Sequence, residues 1–324
     1  MHDALGTQGA TADAEAQLSQ SVASVTVAFN AKGVLPRHIE ALLHQTRPIQ
    51  EIVVVDNAST DGTAALLAER YPQVTVLRMV ENLGAGGALA AGMKYAALER
   101  RHDWLWLFDD DSVPKDDALE VLVDGAERAR VTDNRVGIVA PLCVHEDTGA
   151  CYTPLFWRNG YVKPSPDFLK KPTWFADLVI NAGSMVHREV VEKIGLPRAD
   201  FFMDFFDFEY CLRAGSQGYR VLVVSDSKLL HEIGATREVR VLGYVNRWMD
   251  HAPWREYYIS RNMTYVAWWL YPNWPTKRFV LRHLVRHGGG VLLFGSHKLA
   301  CLKRMVQGFR DGVRGSLGIR FRPG

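Results

Sequence analysis

No run of this 324-residue sequence approaches the ~18 uninterrupted apolar residues of a membrane-spanning helix. Cysteine is scarce as well. Cys143, Cys151, Cys211 and Cys301 show no CxxC pairing, which argues against a zinc scaffold and for buried reduced thiols in a cytoplasmic protein. Cys143 and Cys151 flank His145, yet no second ligand pair completes a site there. The leading MHDALGTQGATADAEAQLSQ has no basic patch followed by an apolar run. Residues 1–20 therefore read as a flexible leader rather than a secretory signal. The absence of a GxSxG elbow and of a GxxxxGK[ST] loop removes serine-hydrolase and P-loop chemistry. No internal repeat is present.

What is there is a globular composition, 48% hydrophobic and 23% charged, long enough to bury a sizeable core. The net charge of +2 hides an asymmetry: from Ala235 onward the chain carries +12, and before it −10. An acidic front and a basic rear suggest two working surfaces, and the acidic front argues against a dedicated nucleic-acid binder.

Along the front, strand and helix patterns alternate. Ser24–Phe29 and Glu51–Val55 are short β-branched runs, as buried strands require. Ile39, Leu42 and Leu43 recur at helical spacing. The polar turn from Asp56 to Thr63 suits capping of a helix over Ala64–Arg70. Val74–Met79 predicts a third strand, Gly87–Arg100 a small-residue helix, and Trp104–Phe108 a fourth strand. This alternation predicts an α/β fold, a mostly parallel sheet flanked by helices. Ligands of such sheets collect at the C-terminal strand ends, where Asp56, Asn82 and Asp109 fall. The stretch Val144–Thr173 reads as a long irregular excursion. An apolar pattern resumes over Val179–Val186, Tyr219–Val224 predicts a further strand, and His231 follows it. Beyond Gly234 the sequence reads as Arg- and Trp-rich helix.

Asp109, Asp110 and Asp111 end the WLWLF strand. Three adjacent carboxylates repel one another and stay charged cheaply only with a cation, and all-oxygen ligands of this kind suit Mg or Mn. The plainer reading is an acidic cap on the next helix, for which one aspartate would suffice. Asp56 could accept from a base or a ribose, although its turn is a common one. Gly84, Gly86 and Gly87 could let backbone amides approach a ligand, but Leu89 breaks the dinucleotide fingerprint. Asp204, Asp207 and Glu209 lie among aromatics, where burial raises a carboxylate toward the range of a general base. If helical, Asp204 and Asp207 share a face; alternatively these acids pair with Arg213 and Arg198. His231, beside a carboxylate site, becomes a plausible metal ligand.

Taken in order, VTVAFN, EIVVVDNASTDGT, ENLGAGGALAAG, WLWLFDDDSVP, FFMDFFDFEYCLRA and HEIG resemble glycosyltransferase family 2, with its GT-A nucleotide-diphospho-sugar transferase fold. The resemblance spans about Val22 to Gly234. It implies a GT-A catalytic domain over residues 21–235, followed by a basic, Trp-rich helical C-terminal region over 236–324. It also implies an inverting hexosyltransferase. Asp56 would contact the nucleoside, with Asn30, Asn82, Gly84 and Asp110 lining the donor pocket. Asp109 and Asp111 would hold Mg or Mn as the outer acids of a DxD motif, with His231 as a further ligand. Asp207 matches the base position. Phe206 stands before it where an acid is frequent, so Asp204 or Glu209 could share or take that role. Val27-Ala28 departs from the family's Pro-Thr pair.

FMDxxDxE and Ser260-Arg261-Asn262 look most like bacterial rhamnosyltransferases using dTDP-rhamnose. NLGAGG and WLFDDD also resemble galactofuranosyltransferases using UDP-galactofuranose. The acceptor implied is a glycan or lipid-linked glycan of polysaccharide or cell-envelope synthesis. The rear half, with five of the nine tryptophans among Arg and Lys, suits peripheral contact with the inner face of the cytoplasmic membrane or a homo-oligomer interface. Readings from other classes are a sugar-nucleotide pyrophosphorylase and an inactive carbohydrate-binding relative.

Overall fold

The computed structural model describes residues 20–146, 149–231, 236–241 and 244–323. The expected leader, Glu232 to Gly234 of the HEIG motif and the expected domain junction at 235/236 lie outside the described residues.

The first half alternates as its hydrophobic pattern requires. Strand β1 (Val22–Ala28) leads to helix α1 (Leu35–Leu43), and β2 (Glu51–Asp56) to α2 (Thr63–Arg70). Next come β3 (Thr75–Arg78), α3 (Gly84–Met93) with a π-helical extension over Lys94–Glu99, and β4 (Trp104–Asp109). The short β5 (Val113–Pro114) precedes α4 (Ala118–Thr132), so Asp109–Asp111 sit at a strand end and a loop, not in the helix's first turn. Nearly every residue of β1, β2 and β4 is buried, as expected for strands covered on both faces.

The middle segment is more ordered than its composition predicts. It holds β6 (Val136–Val144), the short strands β7 (Cys151–Tyr152), β8 (Phe156–Trp157) and β9 (Tyr161–Val162), then β10 (Thr173–Ala176). β11 (Met185–His187), α5 (Arg188–Ile194), α6 (Phe206–Ser216) and β12 (Arg220–Leu230) complete this part of the chain. The main sheet runs β10-β12-β6-β11-β4-β1-β2-β3, with β5 on β12 and β7 on β6. β4, β1, β2 and β3 are mutually parallel. β11 is antiparallel to both β4 and β6, and β12 is parallel to β6. The C-terminal ends of β1, β2, β4 and β12 therefore open on one edge.

The expectation of helix throughout the rear segment needs a correction. It opens with an antiparallel hairpin, β13 (Thr236–Val241) and β14 (Tyr244–Met249). The β-branched residues Thr236, Val239 and Val241 suit a strand better than a helix. Helices α7 (Pro253–Tyr265), α8 (Trp274–Phe294) and α9 (Lys298–Arg314) follow. Among the described residues no helix is long and apolar enough to cross a membrane, and all four cysteines are free.

Candidate active site

The edge formed by the four strand ends carries the acidic residues, and the chain's own pairing puts them there. β5 pairs with the end of β12, Leu229 against Pro114 and Leu230 against Val113. That register sets His231 against the loop after β4. Its Nδ1 lies 3.2 Å from Asp111 Oδ1 and 3.2 Å from Ser112 Oγ. The Ser112 carbonyl is held from beneath by fully buried His38, whose Nδ1 lies 2.5 Å away and whose Nε2 lies 2.8 Å from Thr26 Oγ1. Burial drives His38 down to about 4, so it is a neutral strut.

Asn181 donates to Asp109 Oδ1 at 3.0 Å, and the Asn181 carbonyl accepts from both the backbone and the hydroxyl of Ser184. The Phe29 N–H donates to Asp110 Oδ2 at 3.2 Å, tying the end of β1 to that of β4. Burial raises Asp109, opposed by His231 and by Asn181. Burial also pushes Asp110 up to about 7, with repulsion from Asp109 and Asp111 added. Asp111 Oδ1 is buried and accepts no hydrogen bond, although the His231 ring lies 3.2 Å away. The chemistry of this set fits a hard divalent cation, which would relieve both the repulsion and the unmet oxygen. Among the described residues, however, no three such side chains are already arranged as a metal cage.

A second group lies on the loop before α6. Phe202, Asp204 and Phe205 all have positive φ, so Asp204 is not helical and the condition under which it would share a helix face with Asp207 is not met. Arg255, which the sequence reading missed, grips the Asp204 carboxylate through Nε at 3.0 Å and Nη2 at 2.9 Å. Glu209 is buried and bound to Arg213 through both oxygens, whereas Arg198 pairs with Asp200 rather than with these acids. Asp207 sits in the first turn of α6 and accepts the Phe208 N–H at 2.8 Å. Burial pushes it up to about 7, with the charges of Asp204 and Asp109 adding to the shift. Tyr152, on the excursion strand β7, is raised by burial and by Asp207, which places it in the same field.

The loop is shaped by a buried frame. Arg261, fully buried, donates to the carbonyls of Asp200 at 2.9 Å, Phe201 at 2.8 Å and Gly318 at 2.5 Å. Asn262 donates to those of Met203 and Asp204, both at 2.8 Å. The Arg261-Asn262 pair therefore holds the loop rather than facing a ligand.

Asp56 is wholly buried. Its Oδ1 accepts from the Ser59 N–H at 3.0 Å, whereas Oδ2 has no hydrogen-bond donor and faces Arg78 at 3.7 Å. Asn30 (φ 53) accepts from the Thr60 N–H at 2.8 Å, so its side chain orders the β2 turn. Asn82 accepts from Asn57 at 3.1 Å and from the Gly84 N–H at 2.8 Å. The glycines serve packing instead of an open anion cradle. Gly84 has φ +73, and a Cβ there would come within 2.2 Å of the Phe202 carbonyl. The Gly86 N–H is already spent on that carbonyl at 3.1 Å. Two small pockets, each with room for little more than a water molecule, flank α6. The larger reaches Asp207 and Asn181 among apolar residues such as Leu89 and Leu107, and neither is lined by Asp56 or Asp109–Asp111.

The family model described as Glycosyl transferase family 2 matches residues 24–195. The dTDP-rhamnosyl transferase RfbF of Shigella flexneri is 24% identical over 306 residues, covering 93% of this chain and 98% of that protein. The galactofuranosyltransferase GlfT1 of Mycobacterium tuberculosis is 26% identical, covering 77% and 83% respectively. Among solved structures, GalNAc-T7 with UDP, GalNAc and Mn2+ superposes with a TM-score of 0.60 at 17% identity, over 91% of this chain and 56% of that longer one. S. aureus TarS in complex with UDP gives 0.54 at 13% identity, over 91% and 83%. These likenesses establish the GT-A architecture.

Proposed function

The chain belongs to glycosyl transferase family 2 and is a hexosyltransferase, and from that premise we propose that it transfers rhamnose, with inversion, from dTDP-rhamnose to a glycan or lipid-linked glycan acceptor. The pyrophosphorylase expectation is thereby set aside. The relative that aligns along nearly its whole length, RfbF, supports rhamnose as the donor sugar. The likeness to GlfT1 keeps UDP-galactofuranose as the second reading.

The observation that carries the mechanism is Asp207. It is a carboxylate raised to about 7 by burial, beside an acid cluster at the strand edge. In this reading Asp207 takes the proton of the acceptor hydroxyl as that oxygen attacks the anomeric carbon from the face opposite the diphosphate. Asp56 Oδ2 accepts from the nucleobase, and Asn30 and Asn82 hold the turns around it. Asp109, oriented by Asn181, would hold Mg or Mn together with Asp111 and His231. Such a cation supplies Lewis-acid neutralisation of the departing diphosphate.

Asp207→Asn tests the assignment. It should lower transfer by at least ~100-fold, the usual scale for removing a general base, while calorimetric affinity for dTDP-rhamnose stays within about twofold. The wild-type rate should rise with pH through about 7 as Asp207 ionises. Transfer by the variant at a normal rate would remove Asp207 from the mechanism. A thermal-shift panel of UDP- and dTDP-sugars with Mn separates the two donor readings.

A further inference from the structure

The rear helices expose large apolar side chains that no packing within the chain accounts for. At the junction of α8 and α9 the inner faces already form a closed cluster. Val291, Cys301 and Met305 are buried there, packed by Trp248, Leu284 and Leu302. On the outside of the same junction Leu292 is 51% exposed, Leu293 70% and Leu299 82%. Further back, Val285 on α8 and Val306 on α9 are also exposed. At helical spacing with them stand Arg278 and Arg282 on α8, and Lys303 and Arg310 on α9, all exposed.

Charge decides what this face meets. After Glu256 the only acidic residue of the sequence is Asp311, which is buried and bonded to Tyr257 and Arg320. Among the described residues the outer surface of α8 and α9 therefore offers lysine and arginine but no exposed carboxylate, and half-buried Asp250 beside the junction is engaged by the backbone and hydroxyl of Ser296. An interface between two copies of such a face would set like charges against each other. An anionic bilayer complements both halves of the pattern, taking the leucines into the acyl boundary and the cations at the headgroups.

We propose that the outer face of the α8–α9 junction, with Leu292, Leu293 and Leu299 at its tip and Arg282, Lys298 and Lys303 around it, is a docking surface for an anionic lipid bilayer. The helices lie on the membrane rather than through it. This surface is independent of the Asp207 chemistry, so either assignment can fail without the other.

The test is flotation of the full chain with two kinds of vesicle: phosphatidylcholine alone, or phosphatidylcholine mixed equally with phosphatidylglycerol. Wild type should bind the anionic vesicles at least tenfold better than the neutral ones. Leu292→Glu/Leu293→Glu/Leu299→Glu should lose at least tenfold of that binding, and Lys298→Gln and Lys303→Gln roughly fivefold each. Val131→Glu, at an equally exposed apolar residue on α4, should bind as wild type does. Thermal melting of the triple variant should match wild type, since the substituted side chains are exposed. Absence of wild-type binding to anionic vesicles would overturn the proposal, as would an unaffected triple variant. So would a wild-type dimer that the triple variant dissociates while vesicle binding is absent, which would make the face an interface between copies.

Discussion

Replacing Asp110 by asparagine isolates the repulsion stored in the acid triplet. In the folded chain burial, with Asp109 and Asp111 adding, pushes Asp110 from 3.8 up to about 7, against the Phe29 N–H and its own backbone N–H, which favour the charged form. A shift of about 3 units at about 1.36 kcal/mol each sets an upper bound of about 4 kcal/mol. Partial access to solvent lowers the expected value to about 2 kcal/mol. The folded value lies above the unfolded one, so the folded state binds the extra proton between them. Wild type therefore loses this increment as pH rises from about 4 to about 7 and loses no more above that. Asparagine has no charge to expose, and its amide oxygen can still accept from Phe29. In EDTA the two proteins should melt together near pH 4, and Asp110→Asn should melt about 4 °C higher at pH 8. Added Mn should raise wild type more than the variant, because a bound cation removes the repulsion that the substitution has already removed. Differential scanning fluorimetry across this pH range reads both effects. A difference that does not vary with pH, or a variant less stable at pH 8, would refute the electrostatic account.

Two further substitutions test the frame around the site. Gly84→Ala should destabilise by about 3 kcal/mol in urea unfolding, combining a left-handed backbone penalty with overpacking against the Phe202 carbonyl; a cost under about 1 kcal/mol would restore an open glycine cradle. Arg261→Met should cost about 3–5 kcal/mol by leaving the carbonyls of Asp200, Phe201 and Gly318 unpaired, and a near-neutral result would mean that water replaces the guanidinium.

The sheet's first half was legible because its strands are uninterrupted β-branched runs closed by polar turns, and β1, β2 and β4 lie within a residue or two of the expected spans. β6 has no counterpart among the expected elements, since VGIVAPLCV carries a glycine and a proline that read as breakers although the strand is buried along most of its length. The hairpin over β13 and β14 was hidden by arginines that suit either structure. At the site, Asp109, Asp111 and His231 could be grouped from the chain alone, because each falls just after a strand. Arg255, His38 and Asn181 could not. Each acts through a partner 51 to 74 positions away, and a lone polar residue on an otherwise ordinary helix or loop carries no signal of that kind. The glycines of NLGAGG misled for the opposite reason: close backbone approach was the right inference, but what approaches is the Phe202 carbonyl.

The choice among the three acids of FMDFFDFE then follows from what each is given to neutralise it. Asp204 has the Arg255 guanidinium on both oxygens, so its lone pairs are engaged in a charge-assisted pair. Glu209 has Arg213, which is fixed in turn by the carbonyls of Ile194 and Leu196, so its charge is spent on joining α6 to the end of α5. Asp207 has no cation on it among the described residues, only the backbone amides of Phe208 and of Asp207 itself, and two carboxylates contribute to its field. Its proton affinity therefore lies near neutrality, where a base can both be ionised and accept a proton. Asp204, paired with Arg255, enters the chemistry as one of the two carboxylates whose charge raises Asp207.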